Sequence, residues 1–264
     1  MAVAKLRIAG VLLEGMTALV TGGSRGIGRA ACLGFAREGA AVAVHYRERQ
    51  EAAEAVVAEI AAGGGRATSV QADVAEAADV ERMTAEVDSF AGPRGLNVLF
   101  NNAGIYPPGS LEDVSIEDWD RVIAINVRGP FLCTKAALPL LRRARKTGDR
   151  ARVITIGSVM PYLGLPGYLH YATSKAALSG FTHSLARELS ADGITVNCLV
   201  PSMVLTDTAL AGYPDWEDDI LGQQAVKRGQ QPEDLVGTLV FLASAASDFM
   251  TGQTIVVDGG RVLM

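Results

Sequence analysis

Cysteine, histidine and aromatic residues are all scarce in this 264-residue chain, and each shortage removes a class of protein. The three cysteines, Cys32, Cys133 and Cys198, stand far apart inside apolar segments with no Cys-x-x-Cys or metal-ligand spacing. They read as small buried hydrophobes, so neither a disulfide scaffold nor a metal site is expected. Positive charge is short as well: 24 Lys and Arg against 29 Asp and Glu leave a net charge of -5. Binding a nucleic-acid backbone needs clustered cations, so no nucleic-acid partner is expected. The one basic run, Arg142, Arg143, Arg145 and Lys146, closes an apolar helical pattern, where cations complement the helix dipole, and it reads as a solvated helix end. The apolar run Ile8 to Leu13 is too short to span a bilayer, and Met1 to Glu14 carries no cleavage-site pattern. The expectation is a cytoplasmic protein without a membrane anchor, in which residues 1–15 form an arm leading into the first strand.

Hydrophobic residues, by contrast, make up 49% of the chain, enough for a large core. No repeat or linker interrupts it, and one domain spanning 1–264 is expected. Apolar β-like runs recur at Thr17–Val20, Ala41–His45, Ala67–Val70, Val98–Phe100, Arg152–Ile156, Thr195–Val200 and Thr254–Val257. The stretches between them, such as Arg49–Ala62 and Ala75–Phe90, have the length of crossover helices. Continuous apolar strands are buried on both faces, which predicts an α/β fold with a doubly wound parallel sheet.

The first strand runs into Thr21-Gly22-Gly23-Ser24-Arg25-Gly26-Ile27-Gly28, and a helical pattern starts at Arg29. Glycines there permit a tight turn and close approach of a pyrophosphate, and the helix start offers free N–H groups. The second strand ends at Tyr46 and Arg47, where an NAD site would carry an acid for the ribose 2′-hydroxyl. Arg47 together with Arg25 suits a 2′-phosphate instead, so NADP(H) is favoured over NAD(H).

Tyr171 and Lys175 lie four apart, on one face of a predicted helix, and Tyr171 is the one tyrosine of six with Lys at that spacing. A phenol titrates near ~10 in water, and an adjacent ammonium together with an oxidised nicotinamide is expected to lower it. Thirteen residues before Tyr171, the strand Arg152–Ile156 ends in Gly157-Ser158, at a carboxyl edge where ligands of open α/β sheets sit. Ser158 can there hydrogen-bond a carbonyl oxygen that Tyr171 protonates.

The set of Thr21 to Gly28, Asn101-Asn102-Ala103-Gly104, Ser158, Tyr171 and Lys175 resembles the short-chain dehydrogenase/reductase family, in family order over nearly the whole chain after residue 15. The resemblance implies a Rossmann fold with strand order 3-2-1-4-5-6-7 and a catalytic tetrad completed by Asn126, holding a water that links Lys175 to solvent. On the residues alone, Asn126 also reads as a satisfied buried amide. The resemblance further gives Asn102, Ala103 and Gly104 to the adenosine side, and Asp73 and Val74 to the adenine edge. It gives Pro201, Ser202, Val204 and Thr206 to the nicotinamide carboxamide. Ser202 stands where the family usually has Gly, which narrows the pocket beside the nicotinamide. Substrate contacts are expected from Ile105, Tyr106, Met160, Tyr162, Leu163, Leu165, Leu169, His170, Met203 and a loop region at 203–228.

These side chains are largely apolar. The favoured reading is an oxidoreductase acting on a small, apolar carbonyl or secondary alcohol. A rival within the class is a 3-oxoacyl-carrier-protein reductase, whose basic docking positions correspond here to Asp149 and Asp192. A rival outside it is a cofactor-binding redox sensor without catalysis, which the presence of all four tetrad positions disfavours. Segments Gly180–Leu189 and Phe249–Gly260 resemble the family's oligomer surfaces, implying a homotetramer or a dimer.

Overall fold

A computed structural model describes residues 11–213 and 216–263. Most of the expected arm, and two residues of the loop region at 203–228, lie outside the described residues. Seven strands form one parallel sheet: β1 (Thr17–Val20), β2 (Ala41–Tyr46), β3 (Ala67–Gln71), β4 (Val98–Asn101), β5 (Arg152–Ile156), β6 (Thr195–Pro201) and β7 (Thr254–Val257). Their order is β3-β2-β1-β4-β5-β6-β7, as expected from the sequence. The extra residues at the ends of β2, β3, β4 and β6 are polar, aromatic or Pro, and the ladder pairs Tyr46 with Gln71, Asn101 with Thr155 and Pro201 with Val257.

Helices α1 (Gly26–Arg37), α2 (Gln50–Ala62) and α3 (Ala77–Ala91) follow the first three strands. After β4 come α4 (Ile116–Ile123), a π-helical segment (Ala124–Arg128) and α5 (Gly129–Lys146). The one-turn α6 (Met160–Leu163) and long α7 (Leu169–Glu188) follow β5, and α8 (Asp207–Gly212), α9 (Trp216–Gln223) and α10 (Val236–Ala243) lie between β6 and β7. Two cores result. One face of the sheet, with Val20, Val42, Val44 and Phe100, packs against α1, α2 and α10 through Phe35, Val56, Ile60 and Leu239. The other, with Leu19, Leu99, Val153 and Val196, packs against α3 and α5 through Met83, Val87, Leu140 and Leu141. All three cysteines are buried and free.

The order reverses between β1 and β4, the neighbours that connect outward in opposite directions. Diverging connections open a crevice at the carboxyl ends of the strands, and side chains that leave those ends converge on it.

The basic run at the end of α5 is not merely solvated. Arg142 pairs with Asp192 at 2.9 Å, Arg143 with Asp88, and Arg145 donates to the Asp149 carbonyl at 2.7 Å. Nearby, Arg150 binds Asp248 at 2.8 and 3.1 Å, and the buried Arg152 shares that carboxylate. A guanidinium can complement a helix end and still pair with neighbouring acids, a tertiary contact that charge spacing along one helix does not reveal. Among the described residues no helix is long and apolar enough to cross a membrane, and no group of His, Cys, Asp or Glu could hold a metal ion.

Candidate active site

The turn after β1 is shaped by its glycines. Gly22 (φ 66°) and Gly26 (φ 51°) take left-handed backbone that a side chain would strain. A Cβ on Gly28 would lie 2.1 Å from the Gly22 carbonyl oxygen, so only glycine allows the helix to start against the turn. Behind it, Arg25 caps α1 in extended conformation with no side-chain cap bond, which leaves first-turn N–H groups for an anion. Ser24 and Ile27 are half-buried beside this opening.

Gly22 itself is held at both ends of its peptide unit. Its N–H donates to His45 Nδ1 at 2.8 Å, while its carbonyl accepts from Asn102 Nδ2 at 3.2 Å. The Thr21 hydroxyl accepts from the N–H groups of Asn102 (2.8 Å) and Ala103 (3.0 Å), which ties the turn to the loop after β4. These residues form a cradle whose walls are fixed.

The expected 2′-phosphate residues stand at its rim with separate partners. Arg47 pairs with Glu48 at 2.5 Å and lies 3.8 Å from Asp73, whereas Arg25 donates across the crevice to the Thr208 hydroxyl at 2.9 Å. Tyr46, the last residue of β2, is half-buried against the core. The Asp73 carboxylate accepts from the Ala75 N–H at 2.9 Å, and the Val74 side chain is buried over Gly129.

On the opposite side, β6 delivers Pro201 and Ser202. The Ser202 N–H donates to Gln230 Oε1 at 3.0 Å, and Gln230 Nε2 donates to the Val257 carbonyl at 2.6 Å. The Ser202 side chain turns to Arg261 at 3.4 Å. Val204 is buried and bridges to Gln230, and the Thr206 hydroxyl caps α8 by accepting from Ala209 N–H. Thr206 also abuts Gly26: a Cβ there would lie 2.9 Å from Thr206 Cγ2, so the two lips of the crevice meet.

Ser158, Tyr171 and Lys175 come together at the end of β5. The Tyr171 phenol lies beside Ser158, whose oxygen accepts from the Met160 N–H at 3.2 Å. Lys175 is buried, donates to the Ile156 carbonyl at 2.9 Å, and its Nζ lies 5.8 Å from the Tyr171 ring centroid. Burial pushes the Tyr171 phenol up to about 12, partly offset by the Ser158 hydrogen bond. Desolvation outweighs the neighbouring protein groups, and the depression expected from an oxidised nicotinamide would act against it. Burial likewise pushes Lys175 down to about 8.

Asn126 lies in the π-helical segment rather than in regular α-helix. Its Oδ1 accepts from Ile105 N–H at 2.9 Å, and its Nδ2 donates to the Ile105 carbonyl (2.8 Å) and to Ser174 Oγ (3.0 Å). The amide is satisfied by protein groups and joins the loop after β4 to α7. Gly104 lies between: a Cβ on it would sit 3.2 Å from Asn126 Oδ1 and 3.6 Å from Lys175 Nζ.

Among the expected substrate contacts, Tyr106 packs its ring 5.9 Å from that of Tyr171 and lies beside Thr206 and Thr208. Tyr162, Leu165 and Leu169 are exposed, whereas His170 is buried. Sequence reasoning passed over His45 and Gln230. A histidine that ends an otherwise apolar buried strand beside a glycine turn must find partners, and that was a readable signal. Gln230 carried none.

The model of the family described as enoyl-(acyl carrier protein) reductase matches residues 22–261. A 3-oxoacyl-[acyl-carrier-protein] reductase of Synechocystis sp. is 43% identical over 255 residues, covering 95% of this chain and 98% of that protein. Its counterpart in Staphylococcus aureus is 42% identical over 247 residues, covering 94% and 98%. Among solved structures, a short-chain dehydrogenase/reductase of Serratia marcescens superposes with a TM-score of 0.86 at 35% identity, covering 94% of this chain and 98% of that one. A blue fluorescent protein from a metagenomic library, solved with NADPH, gives 0.86 at 36%, covering 95% and 99%. The chain belongs to the short-chain dehydrogenase/reductase family and is an oxidoreductase acting on CH–OH or keto groups.

Proposed function

We propose that the chain is an NADP(H)-dependent oxidoreductase that interconverts an apolar ketone and its secondary alcohol, with Tyr171 as acid/base. The observation that carries this reading is the convergence of Ser158 and Tyr171 at the carboxyl end of β5, with the buried Lys175 amine beside the phenol ring. A carbonyl oxygen seated against both hydroxyls accepts a hydrogen bond from Ser158 and the proton of Tyr171. Lys175, oriented by the Ile156 carbonyl, supplies positive charge that stabilises the resulting phenolate. Asn126 fixes Ile105 and Ser174, and through them the geometry of this wall.

The residues present fit a nicotinamide dinucleotide. Gly22, Gly26 and Gly28 make a cradle that any Cβ would fill, and the uncapped start of α1 faces it. Ser24, Arg25, Gly26 and Ile27 would hold the pyrophosphate, Asp73, Val74, Asn102, Ala103 and Gly104 the adenosine, and Pro201, Ser202, Val204 and Thr206 the carboxamide. When bound, the cofactor supplies or accepts hydride at nicotinamide C4. Preference for NADP(H) rests on Tyr46 at the end of β2 and Arg47 just after it, where an acid would favour NAD(H), and on Arg25, whose guanidinium can leave Thr208 for a 2′-phosphate. Exposed Tyr106, Tyr162, Leu165, Leu169 and Leu210 give the mouth an apolar character, which favours an apolar substrate.

A carrier-bound 3-oxoacyl substrate is the second reading, favoured by the names of the most similar curated relatives. Against it stand Asp149 and Asp192 at the expected docking positions. Arg142 is tied to Asp192, and Arg150 to Asp248, so neither presents a free cation to an acidic partner. We further infer a cytoplasmic homo-oligomer: the cysteines are buried thiols, and the fully exposed Phe249, with Phe131 and Phe241, calls for a covering subunit.

The test follows NADPH and NADH absorbance with simple and aryl ketones, β-ketoesters and acetoacetyl carrier protein. Turnover of free ketones with NADPH, at a kcat/KM at least about tenfold above that with NADH, is expected. Preference for NADH sinks the cofactor assignment, and turnover confined to the carrier-bound substrate sinks the substrate assignment.

A further inference from the structure

His45 takes no part in the reaction, yet its side chain is buried and held at both ring nitrogens beside the cofactor crevice. It ends the apolar run of β2, is 2% exposed, and makes three contacts around the phosphate turn. Its backbone carbonyl accepts from Gly23 N–H at 2.8 Å, its Nδ1 accepts from Gly22 N–H at 2.8 Å, and its Nε2 meets the Ala72 carbonyl at 3.0 Å.

These partners fix the tautomer. Nδ1 faces a donor and must be bare, so the single proton of the neutral ring sits on Nε2 and donates to Ala72. The ring therefore spans from the first left-handed glycine of the turn to the residue preceding Asp73, joining the phosphate and adenosine ends of the expected cofactor path. Burial holds the imidazole down to about 4, against smaller opposing pulls from the Ala72 carbonyl and then Asp73, so the neutral form is the one present at working pH.

Resting on the nicotinamide-cofactor reading, we propose that His45 is a positioning residue for the dinucleotide: its bare Nδ1 pins the Gly22 N–H and so holds the turn open for the pyrophosphate. A Gly22 N–H so engaged points toward β2 and is not offered to phosphate, which leaves the anion to the N–H groups that follow it. Asn102, on the carbonyl of the same glycine, is the matching pin from β4.

Two near-isosteric replacements separate the two ring nitrogens. In His45→Asn the amide oxygen reaches the Nδ1 position and can still accept from Gly22. In His45→Gln the amide nitrogen reaches the Nε2 position and keeps only the Ala72 bond. His45→Leu keeps neither.

The experiment measures the NADPH Kd by quenching of protein fluorescence, alongside KM for NADPH, kcat at saturating cofactor, and thermal midpoint. His45→Gln and His45→Leu are expected to raise Kd and KM about tenfold, the worth of one hydrogen bond, with kcat within about twofold. His45→Asn is expected to stay within about threefold of wild type in Kd. Should His45→Leu not fold, the Asn and Gln pair still decides. Equal Kd values for the Asn and Gln variants, or a Kd for Leu unchanged from wild type, overturn the proposal while wild-type binding leaves the cofactor reading intact. Failure of the wild-type protein to bind NADPH or NADH overturns both.

Discussion

A phenol that burial pushes up to about 12 is protonated at neutral pH, and this sets how each direction of the reaction responds to pH. Between pH 6 and 8 the hydroxyl stays protonated, the form that ketone reduction needs, and the reduction rate is expected to be flat. Alcohol oxidation needs the phenolate, so its kcat/KM is expected to climb by up to about tenfold per pH unit over the same range. Initial rates in both directions at fixed ionic strength check this; oxidation that falls with rising pH contradicts it. Of the site residues, Ser158, Tyr171 and Lys175 were legible because their spacing places them at one strand end and on one helix face. The state of the phenol was not legible, because it depends on how deeply the hydroxyl sits and on which group Lys175 chooses. Lys175 donates to the Ile156 carbonyl, a contact between residues 19 apart that no local pattern announces.

Between α4 and α5 the helix widens into a π segment, and Asn126 sits within it. Such one-turn distortions recur at functional sites. Here the segment carries an amide that meets both backbone groups of Ile105 and the Ser174 hydroxyl, so two elements of the active-site wall hang on one side chain. Asn126→Ala removes these partners from buried groups, and roughly 3 kcal/mol of stability is expected to go with them. Urea denaturation measures it; a loss below about 0.5 kcal/mol would show that the segment is held elsewhere. Periodicity predicted the helix that closes at the basic run but not the widening before it, since an apolar pattern at helical spacing does not distinguish an i→i+5 turn from an i→i+4 one. The strands were clearer. Continuous runs such as Ala-Leu-Val in β1 and Val-Ile-Thr-Ile in β5 admit few other readings, and differences arose only at ends where Tyr46, Gln71, Asn101 and Pro201 extend the ladder.

Across the whole molecule, a single sheet whose order reverses between β1 and β4 gathers the glycine turn, the loop after β4, Ser158 and the β6 lip at one edge. That convergence was legible, because alternating strands and crossover helices leave one handedness and one productive edge. The ion pairs that close the opposite end and flank were not. Asp248 serves Arg150 and the buried Arg152 from about 100 residues away in sequence, and Arg142 reaches Asp192 across two helices. The same is true of His45, whose partners Gly22 and Ala72 are neighbours only through the sheet. The whole arrangement serves one proton, carried by Tyr171. The most direct measurement is therefore the Tyr171→Phe variant, assayed for ketone reduction and for NADPH binding in parallel. A fall in kcat of about 10²–10⁴-fold with Kd for NADPH within about threefold of wild type is expected. A Phe variant that keeps turnover within tenfold of wild type would contradict the assignment of Tyr171 as the proton donor.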